Sequence, residues 1–467
     1  MSGGFEAVPH PLAATRFIAD GERARRHDTS VWFVRSNRDR AAKLVPEWEQ
    51  LRETASGIKA HTMSKLAEYL EQFEHNAKQN GIQVHWAKDG REHNEIVHSI
   101  LAQRGVTKLV KSKSMLTEEC GLNPWLEERG IEVTDTDLGE RIVQFMNMPP
   151  SHIVMPAIHL TKHDIGVLFH DKLGTPAGLD DPTKLTHAAR QHLRERFLGA
   201  QAGLSGVNFA IAETGGFVVI TNEGNADMGT SLPPLHIACM GIEKLVPRAK
   251  DLGVFLRLLA RSATGQPSSV YATHFHGPLP GGELHVVIVD NGRSAMLGKR
   301  TFRRALSCIR CGACLNTCPV YRRSGGYSYG AVIPGPIGSV LGAVHAPQSH
   351  ASLPFASSLC GSCSDVCPVK VDLHHELLAA RRELAEQGLI SADKRFAMKV
   401  ASFVLARPGL YALAGFFARL LLRFAPGLLR VGPGAVWARQ RALPPGPRSS
   451  FRALYDRGVR GGGEAES

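Results

Sequence analysis

Seven of the nine cysteines fall in two short runs. The first reads Cys308-Ile-Arg-Cys311-Gly-Ala-Cys314-Leu-Asn-Thr-Cys318-Pro319, and the second Cys360-Gly-Ser-Cys363-Ser-Asp-Val-Cys367-Pro368. Thiolates at C-x2-C-x2-C-x3-C-P spacing hold iron–sulfur clusters, with the fourth cysteine ligating the other cluster. Two such runs, about forty residues apart, point to electron transfer through two clusters. Aligned on their C-x3-C-P endings, Cys363 matches Cys314, Cys367 matches Cys318 and Cys360 matches Cys311. The expected division is Cys308, Cys311, Cys314 and Cys367 on cluster one, with Cys318, Cys360 and Cys363 on cluster two. Ser357 stands where an eighth cysteine belongs. Cluster two is then either [3Fe–4S] or, as adopted here, nominally [4Fe–4S], its fourth iron taking Ser357, water or a partner's ligand.

Other uses of these cysteines fit less well. Disulfides need an oxidising compartment, and Met1 to Pro11 carries no secretory signal. Structural zinc takes C-x2-C pairs, but runs ending in Cys-Pro suit it poorly. Cys120 and Cys239 stand alone and read as buried structural thiols.

Further candidate groups lie upstream. In Glu213-Thr-Gly-Gly216-Phe-Val-Val-Ile-Thr-Asn222-Glu223-Gly224-Asn225, a strand ends in polar side chains on a flexible backbone. Ligands gather at the carboxyl ends of α/β strands, so Asn222, Glu223 and Asn225 form a candidate ligand or partner site. A structural turn explains the same composition. Lys111-Ser-Lys113-Ser-Met115 precedes Thr117-Glu118-Glu119. That order fits an anion site before a helix, or simply a helix capped by Thr117. The pairs His159/His163 and His274/His276 have no third ligand nearby and read as surface or capping histidines. Gly298-Lys299 is no phosphate loop, and no G-x-G-x-x-G run supports a nicotinamide or flavin.

At 467 residues the chain exceeds one compact core. Residues 1–75 read as an exposed helical segment, with an amphipathic stretch from Met63 to Phe73. Residues 76–290 read as an α/β domain with a largely parallel sheet. Its apolar runs Ile82–Trp86, Lys108–Val110, Ile131–Val133, Phe217–Ile220 and His285–Val289 alternate with helical stretches such as Glu92–Gln103. Residues 291–387 form a mostly helical, ferredoxin-type two-cluster domain ending in a helix over Asp372–Gln387. Residues 388–467 are a basic, helical C-terminal region.

The net charge is +12, and Phe396 to Arg460 carries eleven Lys or Arg against the single acid Asp456. The main body is therefore near neutral, without a nucleic-acid footprint. Ala401–Leu429 is apolar but broken by Arg407-Pro408, Arg419, Arg423 and Pro426-Gly427. It is too interrupted for a span of about 18 apolar residues. It suits packing or partner docking first, and contact with anionic lipid second. The expected compartment is the cytoplasm, with peripheral contact at the inner face of the cell membrane as an extension.

The ordered motifs Val84-His-Trp-Ala87, Lys111-Ser-Lys-Ser-Met115, Thr136-Asp-Leu-Gly-Glu140, Asn222-Glu-Gly-Asn225, Asp290-Asn-Gly-Arg293, Cys308 to Cys314 and Gly335-Pro-Ile-Gly338 resemble the iron–sulfur B component of bacterial lactate-utilisation systems. The resemblance covers nearly the whole chain and makes the seven-cysteine set a family trait. It implies an α/β lactate-utilisation domain of sugar-isomerase and CoA-transferase likeness, a two-cluster domain and a family-specific C-terminal region. It also implies a part in oxidising L-lactate to pyruvate. The implied partners are a cysteine-rich iron–sulfur protein and a smaller α/β-domain protein.

The expected role is electron transfer. Two alternatives stand beside it: the lactate dehydrogenase subunit itself, with an open iron and Glu223 at the reacting end, and an iron–sulfur sensor binding nucleic acid through the basic tail.

Overall fold

The structure, a computed structural model, describes residues 8–432, 435 and 442–458. Within the basic tail, Arg439, Arg441, Arg460 and the glycine-rich end lie outside the described residues, as does Met1–Ala7 of the stretch read for a signal. One compact unit runs to Gln387 and a second begins at Gly388.

Ten strands form in the first unit: β1 (Gln83–Ala87), β2 (Lys108–Lys111), β3 (Glu132–Asp135), β4 (Ala202–Gly206), β5 (Phe209–Ile211), β6 (Gly216–Thr221), β7 (Leu235–Gly241), β8 (Leu245–Val246), β9 (Tyr271–Phe275) and β10 (Glu283–Val289). Six of them make an all-parallel sheet in the order β1-β10-β7-β4-β2-β3. Helices cover such a sheet on both faces, so its central strands are apolar throughout. β7 is buried along its whole length, and Leu109, Leu204, Ile237 and Val287 share its core.

The remaining strands form a second sheet, β8-β5-β6-β9. Here the expectation needs correction. Phe217–Ile220 lies in β6, whose neighbours β5 and β9 are both antiparallel to it, and not in the parallel sheet. β4 and β7 have no counterpart among the expected strands. β4 reads Ala-Gly-Leu-Ser-Gly, a poor strand composition, because a Cβ on Gly203 would meet the Gly229 carbonyl at 1.7 Å. Packing demanded glycine there and erased the strand signal.

The N-terminal residues are helical as expected, over His10–Ala19, Gly21–Lys43, Trp48–Ser64 and Leu66–Gln79. The stretch Met63–Phe73 is divided by a break at Lys65. Nor are these helices simply exposed. Val31, Ala55 and Phe73 are fully buried, and Arg38 and Arg52 are 8% exposed. Their guanidinium groups donate to buried carbonyls of the cysteine-rich part, Arg38 Nη2 to Val366 O at 3.0 Å and Arg52 Nε to Cys367 O at 3.0 Å. Lys59 Nζ donates to Glu243 O of the α/β part at 2.5 Å. A charged helix face thus becomes a clamp, because orphan carbonyls need donors.

The cysteine-rich part is built of short helices, the longest over Gly335–His345 and Leu373–Glu386. In the second unit, the helices Ala392–Leu405 and Pro408–Phe424 bury no residue and meet at 109°. Among the described residues no single helix is long and apolar enough to cross a membrane.

Candidate metal centres and the adjoining cavity

Each cysteine run folds into the same small device. In the first, Arg310 and Gly312 take left-handed backbone angles, φ 59° and 78°, before the helix Ala313–Thr317. In the second, Leu359 and Gly361 do the same, φ 56° and 81°, before the helix Ser362–Asp365. Two left-handed residues flanking a cysteine curl the backbone so that its amides point inward, a nest that favours anionic sulfur. The amide of Arg310 donates to Cys308 Sγ at 3.4 Å, that of Tyr321 to Cys318 Sγ at 3.5 Å and that of Val371 to Cys367 Sγ at 3.3 Å. Gly312 also packs close: a Cβ there would lie 3.1 Å from the ring of His152.

Cys311, Cys314, Cys318, Cys363 and Cys367 are buried, Cys308 is half-buried and Cys360 is exposed. Burial first, then neighbouring thiols, pushes the buried ones up, Cys367 to about 11 and Cys363 to about 12. Thiols of both runs act on one another. Cys308 and Cys367 act on Cys311, while Cys360 acts on Cys318, and Cys318 and Cys360 act on Cys363. Cys314 feels Cys308 and Cys311, with Cys363 and Cys367 next.

Thiols so crowded ionise only with cations among them, so the donor set fits iron–sulfur chemistry. It does not fit single-ion zinc, whose four thiolates at 2.3 Å would stand about 3.8 Å apart. Among the described residues no three cysteine sulfurs approach within 4.8 Å. The one group that does, Asp372, His374 and His375, was not anticipated. His374 Nδ1 there already meets Ser364 Oγ at 2.7 Å.

Arg35 ties the two loops together by donating to Thr317 Oγ1, which in turn meets Ser362 Oγ. Sequence reasoning missed Arg35, Arg38 and Arg52, since their partners are backbone or hydroxyl groups hundreds of residues away.

Beside the first loop lies a cavity of about 250 Å³, at the carboxyl ends of the parallel strands, lined by Lys113, Asp137, Asn208, Glu223, Lys244 and Arg310. Cys311 also borders it. Of the three polar residues after β6, two are occupied structurally. Asn222 donates to Gln266 Oε1 at 3.0 Å and accepts from Val270 N at 3.1 Å; Asn225 Nδ2 donates to Thr136 Oγ1 at 3.2 Å. Glu223 accepts the Leu138 amide at 3.1 Å, and burial followed by Asp137 pushes its carboxyl up.

Lys111, in the basic loop open to either an anion or a capping reading, is fully buried between Glu118 at 2.7 Å and Asp135 at 2.8 Å. Its charge is spent on the fold, which corrects the anion reading at that residue. Ser114, not Thr117, caps the following helix. Lys113 pairs with Asp137 at 2.9 Å.

The lone groups have partners of their own, and Cys120 is half-buried where Cys239 is fully buried. His159 meets Ser151 Oγ at 2.8 Å and Tyr327 OH at 3.3 Å, and His274 stacks on His276. Cys239 is buried against His93 Nε2 at 3.2 Å, and burial pushes the Cys120 thiol up to about 12.

The LUD domain family matches residues 70–292, and the 4Fe-4S dicluster domain family matches residues 304–371. Lactate utilization protein B of Bacillus cytotoxicus is 43% identical, over 91% of this chain and 92% of its own length. The protein of the same name from Shouchella clausii is 42% identical over 96% of each. The uncharacterized electron transport protein YkgF of Escherichia coli is 40% identical over 90% of this chain and 91% of its own length. A solved DUF162 family protein from Deinococcus radiodurans matches 48% of this chain at 15% identity and TM-score 0.28, too weak a likeness to define the fold. With relatives of 43% and 42% identity spanning nine-tenths or more of both lengths, the chain belongs to the lactate utilization protein B family.

Proposed function

We propose that this chain is the electron-carrying iron–sulfur subunit of a complex that oxidises L-lactate to pyruvate. The observation that supports the reading is the pair of matched cysteine loops, tied through Arg35, on a chain whose relatives are named for lactate utilization. Cys308, Cys311, Cys314 and Cys367 would hold cluster one; Cys318, Cys360 and Cys363 would hold cluster two, nominally [4Fe–4S], for which Ser357 would be a candidate oxygen ligand. The clusters supply one-electron transfer.

The chain's own residues supply the rest. Inward amides bond to the sulfurs and favour their charged state. Arg38 and Arg52 hold the second loop in register through its carbonyls. The crossed cysteines Cys318 and Cys367 keep the clusters close enough for electrons to pass. Exposed Cys360 marks the side on which a partner docks. The partners are a cysteine-rich iron–sulfur protein and a smaller α/β-domain protein, with a membrane quinone as final acceptor. Residues 76–290 form the α/β domain, of isomerase and CoA-transferase likeness, and residues 291–387 the two-cluster domain. The protein works in the cytoplasm, with residues 388–467 touching a partner or the inner face of the membrane.

Anaerobic electron paramagnetic resonance with L-lactate tests this. Reduction of both clusters only when both partner proteins are present supports an electron carrier. Reduction by lactate in the isolated chain would instead make it the dehydrogenase.

A further inference from the structure

Asp372, His374 and His375 stand together at the start of the helix Leu373–Glu386, just past Cys367. Both imidazoles turn Nδ1 to the same carboxylate, His374 at 3.2 Å from one oxygen and His375 at 2.7 Å from the other. The three ligand atoms lie within 4.8 Å of one another, and no other such group forms among the described residues. Asp372 holds the N-cap position, where an aspartate ordinarily accepts an amide of the first turn. Its side chain makes no such bond, and the carboxylate is turned to the rings instead. Ser364 Oγ stands 2.7 Å from His374 Nδ1 and accepts the His374 amide at 3.2 Å. One turn along the helix, Glu376 is 3% exposed with neither carboxyl oxygen bonded. Of its charged neighbours, Asp372 outweighs Arg304.

We propose that Asp372, His374 and His375 bind one first-row divalent cation of the zinc, cobalt or nickel class, through the two Nδ1 atoms and the carboxylate. The spacing agrees. Ligands held at about 2.0–2.1 Å around a tetrahedral ion stand about 3.3 Å apart. The 3.2 Å pair is thus in place, and the 2.7 Å pair must open by about 0.6 Å. His375 is free to make that move, since its side chain is 66% exposed. The chemistry agrees as well. Two imidazoles and one carboxylate suit zinc and its neighbours, whereas calcium and magnesium are held by oxygen. Each ring takes its Nε2–H form, and the Nδ1 lone pair turns from Asp372 to the ion. Ser364 and water supply further oxygen. Because Ser364 directly follows Cys363, the ion fastens the helix to the second cysteine loop.

The inference is independent of lactate and of the partner proteins, and it is read on the untagged, cluster-loaded chain under anaerobic conditions. Isothermal calorimetry with Zn²⁺ should show one saturable site, with Mg²⁺ failing to compete. His375→Ala, at an exposed ring, should weaken it tenfold or more at unchanged iron content, since losing even an outer partner of a metal site costs about 10–100-fold. Asp372→Asn keeps a side chain able to cap the helix and should weaken it as well. A second readout places the ion. Co²⁺ is paramagnetic where Zn²⁺ is not, so Co²⁺ alone should speed the spin relaxation of the three-thiolate cluster, and His375→Ala should abolish that effect. No saturable Zn²⁺ binding up to about 100 μM would overturn the proposal. So would equal binding of Mg²⁺. Unchanged affinity in either variant would also overturn it, by placing the ion on the thiols of the second loop.

Discussion

Ser357 stands to the second cysteine loop as Cys308 stands to the first. Its hydroxyl accepts the Leu359 amide at 3.1 Å, where the Cys308 thiol accepts the Arg310 amide at 3.4 Å. The residues that follow repeat the same backbone angles. Ser357 therefore repeats the local geometry of Cys308 with a hydroxyl in place of the thiol. Oxygen is a harder and weaker ligand for cluster iron.

Ser357→Cys should accordingly complete the second site. The expected outcome is higher iron content per chain, loss of any three-iron resonance in the oxidised protein, and slower loss of iron to a chelator. An unchanged resonance and chelation rate would mean that the position does not face the cluster.

The arginine clamp carries a stability prediction. Arg52 donates to Cys367 O and is almost wholly buried. Arg52→Met keeps the apolar stem and leaves that carbonyl without its donor. The cost should be about 2–3 kcal/mol, read as a lower midpoint for thermal cluster loss. A surface substitution such as Arg91→Met, at an exposed pair, should change it little.

Lys111 gives a second such test, in the α/β part. Removing it in Lys111→Met strands Glu118 and Asp135, at about 3–5 kcal/mol. Folded yield and melting midpoint should both fall. A wild-type midpoint would show that the pair carries no net stability.

Acid sensitivity follows from buried histidines. Burial lowers His93 from 6.5 to about 4 and His236 from 6.5 to about 3. Between those values the unfolded chain binds more protons than the folded one, so stability rises with pH across the window and is lost as pH falls below about 6.5. At pH 5 each histidine should remove up to about 2 kcal/mol. His236→Gln should shrink the drop in melting midpoint between pH 7 and pH 5. An equal drop in the variant would place the acid lability elsewhere.

The 4Fe-4S dicluster domain was legible because cluster binding constrains both residue type and local spacing, and both cysteine runs fall within residues 304–371. Four of the parallel strands, β1, β2, β3 and β10, were legible through apolar runs such as His285–Val289. β4 was not, because Gly203 answers to the helix backbone at Gly229 and Gly206 to the side chain of Ser114. The clamp arginines read as a solvated helix face, since a distant carbonyl leaves no trace in sequence. Lys244 sits in a short turn over Ile242–Lys244 that looks like surface. It is partly exposed there, and its neighbour Glu243 is the buried residue of the turn. Glu223 was flagged with Asn222 and Asn225, and all three line the cavity, but Asn222 is bonded to Gln266 and Val270 and Asn225 to Thr136, while Glu223 accepts the Leu138 amide.

The crossed ligation is most directly tested by Cys367→Ser, read by anaerobic electron paramagnetic resonance and iron content. Cys367 belongs to the second run, yet its thiol neighbours Cys308 and Cys311 of the first. The account predicts loss or distortion of the four-thiolate cluster with the three-thiolate signal kept, and the reverse for Cys318→Ser. Loss of the three-thiolate signal in Cys367→Ser, with the other intact, would contradict it.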